Sequence, residues 1–298
     1  MKIAVGTAQF GLPYGIANRA GKTPRDVAAS ILARAKAAGA RVLDTAIAYG
    51  DAETVLGEIN AAQDGWQIVS KLPALPADLH PREVENWCRA TINASLGRLR
   101  TDHLCGLLLH RPDDLLGPKG PALANALIAL RNEEIVHATG LSIYGPDDLD
   151  ALLPGGPAGA PIPLDLVQSP ASPLDRRLEQ SGWAERLVQS GTRIHLRSVF
   201  LQGLLVMPLS QVPHRLSHGT SDLQRWHDWL TRERVDPVTA ALHFALSRSY
   251  AEYVVLGMDS SEQLEQILNA TQMHFVIPPA DLQSTNSNLL DPRKWTAP

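Results

Sequence analysis

The chain has 298 residues, enough for two small domains or one large barrel. Its 44% hydrophobic and 19% charged content excludes a disordered or fibrous chain and allows a sizeable buried core. Lys plus Arg number 27 against 31 for Asp plus Glu, a net charge of −4 with no basic block, which argues against nucleic acid as a partner.

MKIAVGTAQFG opens with an apolar run too short for a secretory signal and with no cleavage-like segment behind it, so residues 3–5 read as a first strand. After a Gly-rich loop, Thr23, Pro24 and Asp26 mark a helix start with a capping hydroxyl and a preset φ, and that helix runs to about Gly39. A strand at 41–44 precedes the helical spacing of Val55, Leu56 and Ile59. The next strand is 66–72, and Val84, Trp87, Cys88, Ile92, Leu96 and Leu99 then line one face of a long helix. Residues 104–109 are a continuous apolar run, as expected of a strand covered on both faces, with a helix at 122–130 behind it. The pattern repeats as strand 136–143 and helix 149–153, strand 164–167 and helix 177–188, then strand 193–199. An irregular stretch, 203–235, precedes helix 237–246, strand 253–256 and helix 261–270.

Eight strands, each followed by helical material, predict an α/β chain folded as one closed (β/α)8 TIM barrel over residues 1–298. A doubly wound open sheet is the alternative, but no GxGxxG follows the first strand. The Pro- and Gly-rich residues 154–163 read as a long loop between strands five and six. No stretch reaches the roughly 20 apolar residues that span a bilayer, so no membrane partner is expected. Cys88 and Cys105 have neither CxxC nor metal-ligand spacing, and the ten histidines form no HExxH, so no metal is predicted and a reducing, cytoplasmic location fits.

In such a barrel reactive groups come from the C-terminal strand ends and the loops beyond them. Asp44, Tyr49, Lys71 and His110 all fall there. Each alone has an ordinary explanation, as a loop cap, a packing ring, a solvated ammonium or a turn hydrogen bond. Together they form an acid–base set. A phenol normally titrates near pH 10, and an adjacent ammonium favours its ionised form, so Lys71 is expected to lower the pKa of Tyr49 while Asp44 holds the lysine. His110 would orient a substrate oxygen toward Tyr49 for proton transfer. No side chain supplies hydride, which implies a nicotinamide cofactor.

These segments resemble the aldo-keto reductase superfamily. The likeness is carried by GTAQFG (6–11), LDTAIAYGDAETVLG (43–57), SKLP around Lys71, LLLHRPDD (107–114), TGLSIYG (139–145), VQSPAS (167–172), RSVFLQGLL (197–205) and VLGMDSSEQLEQI (255–267). The resemblance implies Asp44, Tyr49, Lys71 and His110 as a catalytic tetrad, with Tyr49 the proton donor, and NADPH or NADH bound without a Rossmann fold. It also implies Ser142 and Gln168 at the carboxamide, Ser198, Leu201 and Gly203 around the pyrophosphate, and Gly257, Ser260 and Gln263 at a phosphate on the last helix. Gly6, Thr7, Asp44 and Arg197 complete the expected cofactor site. The substrate would be a small carbonyl compound or sugar.

Departures from the family pattern bear on specificity. Ile143 stands where an Asn often follows the serine, Ile267 replaces an adenine-contacting Asn, and Arg197 replaces a common aromatic, where it would cover the nicotinamide or reach an anionic substrate. Gly257, Met258, Asp259 and Gln263 offer no cation to a 2′-phosphate, which opens NAD use. The hairpin with which family members usually begin has no counterpart ahead of residue 3. Trp226 and Trp229 are read as helix packing rather than pocket wall. Two other functions fit less well: a cofactor-binding regulatory subunit with vestigial activity, and a barrel aldolase using Lys71 as a Schiff-base nucleophile.

Overall fold

The computed structural model describes residues 1–295. Its strands are β1 (Ile3–Gly6), β2 (Val42–Asp44), β3 (Gln67–Leu72), β4 (Gly106–Leu109), β5 (Thr139–Ser142), β6 (Leu166–Pro170), β7 (Arg193–Arg197) and β8 (Tyr253–Gly257). They pair in parallel in sequence order, and β1 closes on β8 through Ile3 opposite Val254 and Gly6 opposite Gly257. The predicted (β/α)8 barrel is therefore the observed architecture, and the open sheet is excluded. Among the described residues no helix is long and apolar enough to cross a membrane.

Two apolar layers hold the barrel. Ala4, Val42, Val69, Leu108, Leu166 and Val255 fill its interior, one from each of six strands. A larger cluster, including Ile31, Leu56, Ile92, Leu127 and Leu187, lies between the sheet and the outer helices. Full burial of each such side chain contributes about 1.5–3 kcal/mol against exposure. Trp226 belongs to this outer core: it is fully buried, its indole N–H donates to the Leu205 carbonyl at 2.8 Å, and its ring stacks on Trp229.

Several local expectations are corrected. The helix Arg25–Ala37 begins after Pro24, but Thr23 does not cap it, and its buried hydroxyl has no partner among the described residues. The loop after β1 contains the short helix Ala8–Gly11. The helix expected over 177–188 is broken into Arg177–Gln180 and Trp183–Gln189, because Gly182 adopts φ of 77°. The stretch read as irregular holds a 14-residue helix, Thr220–Glu233, whose buried Leu223, Trp226 and Leu230 sit at helical spacing. Strands β4 and β5 begin later than their apolar runs, because Leu104 and Val136 join only through a single parallel bridge.

Candidate active site

The strand pleat explains how the site is assembled. Side chains at i and i+2 share a face, so each interior residue predicts the direction of the group two positions on. Val42 precedes Asp44, Val69 precedes Lys71, Leu108 precedes His110, and Leu166 precedes Gln168 in this way. Ala4 and Val255 likewise precede Gly6 and Gly257, which sit opposite each other in the sheet. The apolar interior thus ends in a polar layer at the C-terminal mouth.

That layer is tightly bonded. Lys71 Nζ donates to Asp44 Oδ1 at 2.6 Å and to the Thr45 carbonyl at 2.9 Å, with Lys71 fully buried and Asp44 3% exposed. Gln168 Nε2 donates to Asp44 Oδ2 at 2.5 Å. The Lys71 ammonium stands 4.9 Å from the centre of the Tyr49 ring, and the His110 imidazole meets that ring edge-on at 5.8 Å. The loop carrying Tyr49 is fixed by a close backbone approach. A Cβ on Gly11 would lie 1.8 Å from the Tyr49 carbonyl, and Gly50, at φ of 56°, faces Gly11 in turn. The final glycines of GTAQFG and of the DTAIAYG run therefore serve one contact.

A cavity of about 450 Å³ opens over this layer. Its walls include Gly6, Thr7, Asp44, Tyr49, His110, Ser142, Arg197, Ser198, Gly203, Gly257 and Gln263, as expected from the sequence. Four expected residues do not line it. Lys71 and Gln168 are buried and donate to Asp44. Leu201 turns into the core, and Ser260 caps the helix Ser261–Ala270 by accepting from the Gln263 N–H. Gln263 folds back to accept from the Asp259 N–H. With both its hydrogen bonds made inside the fold and no face on the cavity, Lys71 is poorly placed for Schiff-base chemistry.

Electrostatics correct one expectation. The Tyr49 phenol is pushed well above its ordinary pKa, by burial first and then by the Asp44 carboxylate, with the Arg197 cation opposing. Lys71 does not lower it; burial instead depresses the Lys71 ammonium itself, with Asp44 resisting. Tyr49 is consequently a firmly protonated phenol. His110 is held down at about 4, by burial and by the Lys71 and Arg197 cations, and is neutral at working pH.

This depressed histidine has a stability signature. Its unfolded form binds a proton near pH 6.5, the folded form only near 4, so stability is full above about pH 6.5 and falls as the pH drops toward 4. We expect His110→Gln to remove that part of the acid slope. Thermal melting of both proteins from pH 4 to 7.5 checks it; parallel profiles would refute it.

Among the wall residues that escaped the sequence reading are Gln9, Tyr14 and Tyr144. Tyr144 lies two positions past Ser142, a pleat relationship that was available. Its ring is flanked by the guanidinium of Arg197 at 4.6 Å and that of Arg293 at 4.1 Å. Arg197 also donates to the Ile143 carbonyl at 2.8 Å and to Ser198 Oγ at 3.0 Å, which fixes it on the cavity wall. Gln9 and Tyr14 come from the irregular loop after β1; burial raises the Tyr14 phenol to about 12. Gln9 Oε1 is buried without a partner among the described residues, and a Cβ on Gly257 would strike this side chain at 2.6 Å. An unsatisfied acceptor, an open glycine strand end and the hydroxyls of Ser142 and Ser198 together suit an elongated polar ligand such as a nicotinamide dinucleotide.

Comparison with known proteins agrees with the architecture. The profile of the Aldo/keto reductase family matches residues 2–287. Over 147 residues the chain is 35% identical to 6-dehydroglucose reductase of Novosphingobium aromaticivorans, a match covering 44% of this chain and 46% of that protein. The chain thus spans about half the length of that curated relative. Among solved structures, aldo-keto reductase AKR11C1 of Bacillus halodurans in its holo form has a TM-score of 0.71 at 19% identity, covering 99% of this chain and 92% of that one. A putative aldo-keto reductase from Pseudomonas aeruginosa has a TM-score of 0.63 at 21% identity, covering 90% and 88%.

Proposed function

The chain belongs to the aldo/keto reductase family, and from that premise we propose that it reduces the carbonyl of a small polar substrate, an aldehyde, ketone or sugar, with Tyr49 as proton donor. A nicotinamide dinucleotide, when bound, supplies the hydride. The chain's own residues handle the oxygen that becomes an alkoxide. Neutral His110 donates a hydrogen bond to it and fixes its position, and the protonated Tyr49 gives it a proton. Asp44, held by Lys71 and Gln168, anchors the floor on which these two groups stand. The observation that carries this reading is the convergence of a protonated phenol and a neutral imidazole on one cavity above a buried ion pair.

The cofactor would be held by Ser142, Ser198, Gly203, Gly257 and Gln263, which line the cavity. We propose NADH as the better partner. Asp259, not a cation, stands on the wall beside Gln263. Arg197 is the one Lys or Arg among the described lining residues, and it is bonded toward Ile143 instead. A carboxylate accepts from a ribose hydroxyl and repels a 2′-phosphate. Arg197 also offers a cation to an anionic or hydroxyl-rich substrate. The sugar reductase relative supports a sugar-like carbonyl. A panel of aldehydes, ketones and sugars assayed with NADH and NADPH tests both proposals. We expect turnover with a kcat/KM at least equal for NADH. A strong NADPH preference would overturn the cofactor choice, and no turnover with any carbonyl would overturn the reductase.

A further inference from the structure

At the barrel end opposite this cavity, we propose that His103, Cys105 and His137 form a binding site for a zinc-class divalent cation. The backbone builds the cluster. Leu104 and Val136 form a parallel bridge and are both fully buried in the layer beneath the helices. The pleat turns their neighbours His103, Cys105 and His137 to the other face. Leu104 N–H donates to the Ile135 carbonyl at 2.9 Å, His137 N–H to the Leu104 carbonyl at 3.0 Å, and Cys105 N–H to the Ile68 carbonyl at 2.9 Å. Three strands' worth of backbone therefore hold the group in place. Cys105 precedes β4 and His110 follows it, so the two sites occupy opposite ends of one strand, about 16 Å apart.

The donor atoms suit the cation. The Cys105 sulfur and one ring nitrogen from each histidine all lie within 4.8 Å of one another. Tetrahedral zinc, with bonds of about 2.0–2.3 Å, places such atoms roughly 3.3–3.8 Å apart, so the donors need to close by no more than about 1.5 Å, and the His137 side chain is exposed. The two imidazoles already stack, with centres 4.6 Å apart. Asp102 Oδ1 lies 2.8 Å from His103 Nδ1, which leaves Nε2 for the cation and orients the ring as carboxylates do behind metal-bound histidines. Imidazole with thiolate selects zinc over magnesium or calcium, and three protein donors leave the fourth position for water. Burial raises the Cys105 thiol, and a hydrogen bond with the Ile68 backbone and then the Arg193 cation counter this. On binding, the thiol proton passes to solvent as the metal–sulfur bond forms. The sequence did not announce the site because HxC and a histidine 32 positions later match no compact metal motif.

Titration of metal-stripped full-length protein with Zn²⁺, by calorimetry and chelator competition, tests the proposal. One equivalent is expected to bind, and Mg²⁺ is not expected to compete. Cys105→Ser and His137→Ala should each weaken binding at least about tenfold, and Asp102→Asn by about 10- to 100-fold. Co²⁺ in the wild type should give a thiolate charge-transfer absorption that Cys105→Ser removes. Carbonyl reduction should be unchanged in all three, since none lines the cavity. Absence of stoichiometric binding, or affinity unaltered in both ligand variants, would overturn the site. Should Cys105→Ser fail to fold, the exposed His137→Ala still decides.

Discussion

Tyr49→Phe is expected to lower the rate of carbonyl reduction by about 10²- to 10⁴-fold, the usual contribution of a positioned general acid, while cofactor affinity stays within about twofold. The substitution deletes one hydroxyl and keeps the ring that meets His110 edge-on and faces the Lys71 ammonium, so the cavity retains its shape. The raised phenol pKa gives the expectation its sign. A phenol that keeps its proton throughout the working range is ready to donate to an alkoxide, a far stronger base, and is poorly prepared to accept a proton from an alcohol. Reduction should therefore show no loss attributable to Tyr49 ionisation up to about pH 9, whereas any reverse oxidation should rise with pH. Steady-state rates in both directions, with cofactor binding followed separately by fluorescence, check this. Retention of wild-type turnover by Tyr49→Phe would remove the proton donor from the proposal and leave the family assignment intact.

The strands and the four convergent groups were legible because two simple periodicities govern them. Continuous apolar runs such as 104–109 belong to strands covered on both sides, and the pleat fixes where a residue two positions past an interior side chain must point. Asp44, Lys71 and His110 were read from their places at or just past the C-terminal strand ends, and the pleat accounts for where they point. What was hidden depends on tertiary surroundings. The direction of the Tyr49 shift is set by how much water the folded barrel removes and by the Asp44 charge, so adjacency to lysine was a misleading guide. Gln9 and Tyr14 reach the cavity from a loop with no period to read, and the inward turn of Leu201 rests on a left-handed backbone at φ of 48°. The helix Thr220–Glu233 was visible in the spacing of Leu223, Trp226 and Leu230 but was masked by the Pro- and Gly-containing turns before it. Ser260 and Gln263 illustrate a different limit: a serine that caps a helix and one that binds a phosphate there look alike in sequence, and here its hydroxyl already accepts from the Gln263 N–H.

The Asp44–Lys71 pair should reveal itself as a coupled unit. Its side chains are 5% and 1% exposed and 2.6 Å apart, so removing one partner leaves the other's charge without compensation in a site largely closed to water. Lys71→Met is expected to cost about 3–5 kcal/mol, which for a chain of this size is a fall in Tm of roughly 5–8 °C; the Gln168 donor to Asp44 keeps the loss toward the lower end. Asp44→Asn should instead strand the ammonium, whose pKa burial already depresses, and drive it further toward the neutral amine. Between the lowered pKa of the folded state and about 10.5 the folded state then binds fewer protons than the unfolded state, so across that window stability rises with pH, and the window is wider in Asp44→Asn than in the wild type. The double variant Asp44→Leu with Lys71→Met replaces both charges by apolar groups and should recover most of the stability, because an absent pair needs no desolvation. It should not recover activity, since Tyr49 and His110 would stand over an apolar floor. Melting curves of the four proteins between pH 6 and 9, with kcat alongside, separate the two roles. If the double variant is no more stable than either single one, the carboxylate and ammonium are not compensating each other, and the buried pair cannot be what holds the base of the site.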